Sequence, residues 1–73
     1  MDTKYELLII KVLESKKTGK CFVVGHVDAG KGASLDLTFL EIPKQAFDDY
    51  TDRIYEWIEV HPVINGTRVA YTI

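Results

Sequence analysis

The sequence predicts a small, mainly β protein: a five-stranded barrel with element order β-β-β-α-β-β and one short helix. Three observations support this fold class. Apolar residues recur with a period of two along most of the chain, polar turn signals separate these runs, and only one stretch has a helical pattern. The 73 residues leave room for one domain, residues 1–73, with a single hydrophobic core.

The first half of the chain is predicted to form three strands. The first two are Tyr5–Glu14 and Cys21–Val27, joined by a polar turn that ends near Gly19. Gly25 lies inside the second strand, which is typical of a bulge or of a sharp bend at a barrel corner. The third strand is predicted at Ser34–Ile42. There Leu35, Leu37 and Phe39 share one face, and Ser34, Asp36 and Thr38 share the other.

The second half begins with the helix and ends with a hairpin. Pro43 ends the third strand, and Lys44–Tyr50 is predicted to be helical, with Ala46, Phe47 and Tyr50 on one side to plug the barrel bottom. Strand four is predicted at Arg53–Val60, with Ile54, Ile58 and Val60 alternating against Tyr55, Trp57 and Glu59. The Asn65-Gly66 pair is a strong hairpin signal, and Thr67–Ile73 is the last strand, with Val69, Tyr71 and Ile73 on one face.

The charge is distributed unevenly along the chain. Nine basic and eleven acidic residues give a net charge of −2, which excludes a protein that is basic over its whole surface. Residues 1–35 carry six lysines and four acids, whereas residues 36–73 carry three basic residues and seven acids. We therefore expect one basic end, formed around the segment Lys11–Lys31, and one acidic end.

Composition also limits the cellular compartment of the protein and the kinds of disulfide or metal site that it can contain. The single cysteine, Cys21, excludes an internal disulfide framework and a cysteine-based zinc site, and it is expected to be a small core residue. No apolar run approaches the roughly 20 residues of a membrane span, and no basic segment leads into a signal-peptide core at Met1–Lys4. We expect a cytoplasmic protein that needs no membrane, metal or cofactor.

One segment has a sequence similar to that of a nucleotide-binding loop. Residues 25–32, GHVDAGKG, resemble the phosphate loop of translational GTPases, which reads GHVDxGK followed by Ser or Thr. That loop needs a hydroxyl group for magnesium and a following helix. Here Gly32 replaces the hydroxyl residue and a strand pattern follows, so a glycine-rich turn is predicted instead. His26 and His61 lack partners at metal-ligand spacing, and no catalytic set assembles, so we expect no enzyme.

The outward-facing aromatic residues are the main functional signal. Phe22, Tyr55 and Trp57 alternate away from the aliphatic residues that would form the core. Exposed aromatic rings beside lysines are how sequence-tolerant single-strand binders hold bases. The candidate nucleic-acid-binding residues are Lys16, Lys17, Lys20, Phe22, His26, Lys31, Tyr55 and Trp57. A protein interface would use the same aromatic residues, and a one-residue error in strand phase would place them in the core.

The element order, the aromatic residues and the loop lysines together carry a resemblance. The chain resembles small OB-fold single-stranded DNA-binding proteins of the phage or plasmid type. The resemblance implies a viral protein that coats single-stranded DNA and forms a homodimer. That group usually ends in an acidic tail, whereas this chain ends in TRVAYTI. An SH3-like barrel for peptide recognition and an open sheet crossed by a helix remain rival architectures.

An alternative function uses the acidic half of the chain. A small phage-type interaction or inhibitor protein would bind a host protein through an acidic and aromatic surface, either by imitating DNA charge or by pairing with a basic partner. The residues of that surface would be Asp36, Glu41, Asp48, Asp49, Asp52, Glu56 and Glu59.

Overall fold

The fold is described by a computed structural model that covers residues 4–30, 32 and 35–73. Within these residues five antiparallel strands form a nearly closed barrel, in the order β3-β2-β1-β4-β5. The strands are β1 (Tyr5–Glu14), β2 (Cys21–Asp28), β3 (Thr38–Ile42), β4 (Trp57–Asn65) and β5 (Arg68–Thr72). A 3₁₀ turn at Lys44–Ala46 leads into one short helix, α1 (Phe47–Thr51), between β3 and β4. The predicted fold class and element order are confirmed.

The strands β1 and β2 form a hairpin that contains the main irregularity of the sheet. The register passes from Ile9↔Gly25 to Lys11↔Val24, so Ile10 is an extra residue on β1 and forms a bulge. A Cβ atom added to Gly25 would collide with the carbonyl oxygen of Leu8. The predicted irregularity at Gly25 is therefore confirmed, with the extra residue on the neighbouring strand. The bulge increases the local twist and helps the sheet to curl into a barrel.

A single cluster of apolar side chains fills the barrel. It consists of Leu7, Ile9, Cys21, Val23, Val27, Leu40, Ile42, Ile58 and Val60, all 6 % exposed or less. Phe47 and Tyr50 of α1 pack against this cluster, as predicted for a helix that covers one end of the barrel. The thiol of Cys21 is free and buried, so the expectation of a small core residue is confirmed. No helix in the part of the chain described is long and apolar enough to cross a membrane.

The third strand is shorter than predicted and has the opposite phase. It begins at Thr38 rather than Ser34, and Ser34 itself lies outside the described residues. Leu35 is 94 % exposed and lies in a bend, while Phe39 faces outward. The buried positions of β3 are Leu40 and Ile42. The prediction that Leu35, Leu37 and Phe39 share a half-buried face of one strand is wrong, because their alternation begins in the bend and Leu40 takes the core position beside Phe39.

The fourth strand begins and ends later than predicted. It runs from Trp57 rather than Arg53 and continues to Asn65 rather than stopping at Val60. The predicted faces are nevertheless confirmed, because Ile58 and Val60 are buried whereas Tyr55, Trp57 and Glu59 are exposed. The delayed start has a local cause, a tight turn at residues 53–56. The hairpin predicted at Asn65-Gly66 is confirmed, with Asn65 paired to Arg68.

Candidate nucleic-acid interface

The outward side of β1, β2, β3 and the first part of β4 forms one continuous surface. Because side chains alternate along each strand, the residues between the core positions point to this side. The ladder register places them in three rows: Trp57–Leu8–His26, Lys11–Val24–Phe39 and Leu13–Phe22–Glu41. These nine residues are called the outer face below. Val24 lies at its centre and is only 1 % exposed, since its neighbours cover it.

Two phenylalanines form an aromatic pair on the outer face. The rings of Phe22 and Phe39 have their centroids 6.5 Å apart and an interplanar angle of 72°, an edge-to-face contact. Phe22 is half-buried, and Phe39 is 57 % exposed. The two rings therefore pack against each other, while Phe39 leaves most of its surface in solvent. Phe39 is missing from the predicted site because the sequence pattern assigned it to the apolar face of its strand.

Trp57 lies on the same face, one strand beyond β1. It is 44 % exposed and pairs in register with Leu8, whose other neighbour is His26 on β2. The Nδ1 atom of His26 lies 3.3 Å from the carbonyl oxygen of Asp36, which ties the half-buried imidazole to the segment before β3. Phe22, His26 and Trp57 are thus brought to one face, with Phe39 added to the set.

Tyr55 lies just before β4 in an uncommon backbone conformation. Its φ is +69°, a left-handed value that glycine adopts far more readily than tyrosine. The amide of Glu56 donates to the carbonyl of Arg53 at 3.1 Å, so Tyr55 is the third residue of a turn in which glycine is preferred. The amide of Tyr55 donates to the Ile9 carbonyl at 2.6 Å, and the Ile9 amide donates to the Glu56 carbonyl at 3.0 Å. Burial does not hold the ring in place, because Tyr55 is 74 % exposed.

The predicted lysines lie at one end of the outer face. Lys16, Lys17 and Lys20 are exposed in the β1–β2 loop, next to the row that contains Phe22. Lys20 forms an ion pair with Glu41 at 3.8 Å, and more than half of each side chain is in solvent, so the pair is weak. Lys31 lies outside the described residues. Lys11 is an exposed cation that the sequence prediction missed, and its position beside Val24 and Phe39 depends on the bulge at Ile10.

The opposite end of the same side of the sheet is acidic. Glu6 on β1 pairs in register with Asp28 on β2 and with Glu59 on β4, so three carboxylates form a row beyond Trp57 and His26. Glu59 also lies 3.8 Å from the Nε2 atom of His61, an exposed residue. Charge therefore changes sign along β1, with lysines at the loop end, aromatic rings in the middle and acids at the far end. Of the acids predicted for the acidic end, only Glu59 lies in this row, whereas Glu6 and Asp28 come from the half of the chain that was predicted to be basic.

The described part of residues 25–32 includes a turn in which two backbone amides donate hydrogen bonds to a side chain of the same turn. The carboxylate oxygen Oδ1 of Asp28 accepts hydrogen bonds from the amides of Gly30, at 2.7 Å, and Gly32, at 3.2 Å. Both glycines have positive φ, at 93° and 95°. The carboxylate therefore occupies a position facing backbone amides, where a phosphate would bind in a nucleotide loop. The prediction of a glycine-rich turn is confirmed for the part that is described; Lys31, Ala33 and Ser34 are outside it.

Neither a metal-ligand cluster among the described residues nor a related protein points to a function. In residues 4–30, 32 and 35–73, no three His, Cys, Asp or Glu side chains lie close enough together to hold a metal ion. Comparison of the chain with protein-family models, with curated proteins and with solved structures found no match.

Proposed function

We propose that the protein binds single-stranded nucleic acid on the outer face, without catalysis, and coats single-stranded DNA in this way. The observation that carries the proposal is the presence of Phe22, Phe39 and Trp57 on one side of the sheet, with lysines at one end. Bases stack on exposed aromatic rings with about 1–3 kcal/mol per base, whatever their sequence. Lysines beside the rings neutralise phosphates and add a salt-dependent term to the affinity.

Tyr55 adds independent support. Neither backbone preference nor burial favours a tyrosine at this position, since its φ is +69° and its side chain is 74 % exposed. Strained residues of this kind cluster at functional sites, where the side chain is needed for something other than folding. Contact with a bound base accounts for an aromatic side chain in a place where glycine would fold more easily.

The charge gradient along the outer face suggests where a bound single strand of nucleic acid lies. The nucleic-acid backbone would run near the lysines of the β1–β2 loop and near Lys11, and it would avoid the carboxylates of Glu6, Asp28 and Glu59. The acidic row lowers the affinity and limits the length of strand that each molecule covers. Binding by this protein is therefore expected to be moderate and strongly sensitive to salt.

The strand order agrees with the resemblance to small OB-fold single-stranded DNA-binding proteins. In OB folds the second and third strands and the adjacent loops bind oligonucleotides. Phe22 and Phe39 occupy those strands here, and Lys16, Lys17 and Lys20 occupy the loop between strands one and two. The assignment to that group, including a viral origin, is part of the proposal.

The acidic row favours one second candidate. Glu6, Asp28 and Glu59 present three carboxylates beside Trp57, an arrangement suited to a basic patch on another protein. A small phage-type interaction or inhibitor protein would use this acidic and aromatic surface to bind a host protein. In that case charge reversal at Glu6 would abolish capture of the partner, and oligonucleotides would not bind.

The proposal is tested by fluorescence titration with oligothymidine at two salt concentrations. The chain contains one tryptophan, so the emission reports on Trp57 alone. We expect quenching on binding, and a fall in affinity as salt rises. Lys16→Ala/Lys17→Ala should reduce the slope of log K against log salt by up to about 1.4, because each phosphate contact on a single strand contributes about 0.7.

A matched control removes two other exposed cations. Lys4→Ala/Arg68→Ala carries the same change in net charge, and these residues lie before β1 and on β5, away from the β1–β2 loop. It should leave the salt slope near that of the wild type. The proposal fails if oligothymidine leaves the emission unchanged at low salt, or if both double variants alter binding equally.

A further inference from the structure

The distal half of the β4–β5 hairpin extends away from the barrel. β4 pairs with β1 only from Trp57 to Val60, whereas its pairing with β5 begins at His61. Every residue from 61 to 70 is exposed. The side of this hairpin that continues the alternation of Ile58 and Val60 is nevertheless apolar. The hairpin therefore carries an apolar face beyond the end of the barrel core.

The alternation along the two strands defines that face. Pro62 and Ile64 on β4 continue the core side, and their cross-strand partners are Tyr71 and Val69. These four residues are called the hairpin face. Its base is anchored, because the ring of Tyr71 packs against Tyr5 with centroids 6.0 Å apart. Its outer part is uncovered, with Ile64 76 % and Val69 57 % exposed.

An uncovered two-stranded ribbon is a marginal structure in water. Such a hairpin needs a further strand, a helix or a second sheet against its apolar face to be stable by itself. Here Ile64 and Val69 are directly opposite each other, and each leaves more than half of its surface in solvent. Burying this pair would add hydrophobic stabilisation in proportion to the area removed from water.

We propose that a second copy of this chain covers the hairpin face. Charge is the first argument, since residues 60–73 contain no acid and Arg68 is their only permanently charged side chain. A strongly charged partner would find at most this one complementary charge there. In a twofold dimer the same patch of both copies forms the interface, so the apolar hairpin face of one copy would cover that of the other.

The size of the hairpin limits the expected affinity of the dimer. Residues 61–72 are about half of the 20–30 residues per side that a standard stable interface uses. The dimer is therefore expected to be weak, with dissociation in the micromolar range, and to form as concentration rises. This inference does not depend on nucleic-acid binding, because the hairpin face and the outer face share no residue.

Sedimentation equilibrium over a concentration series tests the proposal. We expect the wild type to pass from monomer to dimer and Ile64→Asp to raise the dissociation constant more than tenfold, since a symmetric interface contains the change twice. Val63→Asp is the matched control, because Val63 is 46 % exposed on the opposite side of the same strand. It should leave dimerisation within about threefold of the wild type.

A second variant distinguishes loss of the dimer from misfolding of the chain. Ile64→Thr keeps a residue with high strand propensity and should weaken the dimer while circular dichroism stays unchanged. A wild type that remains monomeric up to about millimolar concentration overturns the proposal, as does equal disruption by Ile64→Asp and Val63→Asp. Binding of anionic vesicles by the monomer, lost in Ile64→Asp without any self-association, would assign the hairpin face to a lipid surface instead.

Discussion

The amide of Tyr55 donates a hydrogen bond to the carbonyl of Ile9 at 2.6 Å, and this bond fixes an exposed aromatic residue in a left-handed conformation. The returning bond from the Ile9 amide to the Glu56 carbonyl completes a bulge in which glycine is the usual first residue. The backbone at this position is thus determined by β1. Trp57 follows two residues later, so the same pair of bonds also sets where the outer face begins on β4.

The first prediction concerns the backbone strain at Tyr55. Tyr55→Gly should stabilise the protein by about 1 kcal/mol, because the released strain of about 1–3 kcal/mol exceeds the backbone entropy that glycine loses on folding. The same variant should weaken oligothymidine binding by about tenfold or more, as expected for loss of one stacking ring. Urea unfolding and fluorescence titration measure the two effects. Tyr55→Phe should change neither, and a Tyr55→Gly variant less stable than the wild type would contradict the prediction.

The second prediction separates the outer face from the core on β3. Phe39→Ala should reduce oligothymidine affinity by about tenfold or more and lower the free energy of unfolding by only about 1 kcal/mol, because Phe39 is 57 % exposed and loses mainly its contact with Phe22. Leu40→Ala, one residue further along the chain, should cost about 2–5 kcal/mol of unfolding free energy, since Leu40 is fully buried. Titration and chemical denaturation of both variants provide the comparison. Reversal of the two outcomes would mean that the strand phase is wrong.

The third prediction concerns the close approach of β1 and β2. Gly25→Ala should destabilise the protein by about 3 kcal/mol or more, because its Cβ would meet the Leu8 carbonyl and force the bulge to move. Gly19→Ala is the control: its φ is +73°, but among the described residues no atom beyond its chain neighbours lies within 4 Å of the added carbon. It should cost only about 1 kcal/mol, the penalty for a left-handed alanine. Equal losses in the two variants, measured by thermal or urea unfolding, would show that contact at Gly25 is unimportant.

The fourth prediction uses the acidic row. Glu6→Lys replaces the central carboxylate of the row formed with Asp28 and Glu59, so it should raise oligothymidine affinity several-fold at low salt. The gain should disappear in high salt, where exposed charges are screened. Asp49→Lys makes the same change in net charge on α1, outside the outer face. Similar gains in both variants would indicate a response to net charge alone and would count against a localised site.

The fold was predictable where local signals agree with one another. β1 and the hairpin at Asn65-Gly66 are as predicted, because β-branched residues followed by a polar turn favour a strand for β1, and Asn-Gly is a strong hairpin signal. The presence of β3 and its end at Ile42 are as predicted, but its phase is not, because Phe39 and Leu40 are both apolar and either could face the core. Only the pairing with β2, which puts Leu40 opposite Val23, decides between them.

The candidate site was predictable in part for the same reason. Phe22 and Trp57 follow a clear alternation, so their outward direction is evident from the chain. Lys11 depends on the bulge at Ile10, which inverts the faces of every later residue in β1, and no feature of the sequence near Ile10 signals that change. The left-handed φ of Tyr55 is equally hidden, because tyrosine is not a residue that suggests such a turn.

Asp28 shows that a segment resembling a known sequence motif can form a different local structure. The aspartate of GHVDAGKG turns back onto the amides of Gly30 and Gly32, so the loop supplies its own anion. The run matches the first seven positions of the phosphate-loop signature and lacks its hydroxyl residue, and the amides of Gly30 and Gly32 are already engaged by the chain's own carboxylate. For small proteins that contain such a stretch, checking whether an internal carboxylate reaches the glycine amides offers a simple filter before guanine nucleotides are tested at the bench.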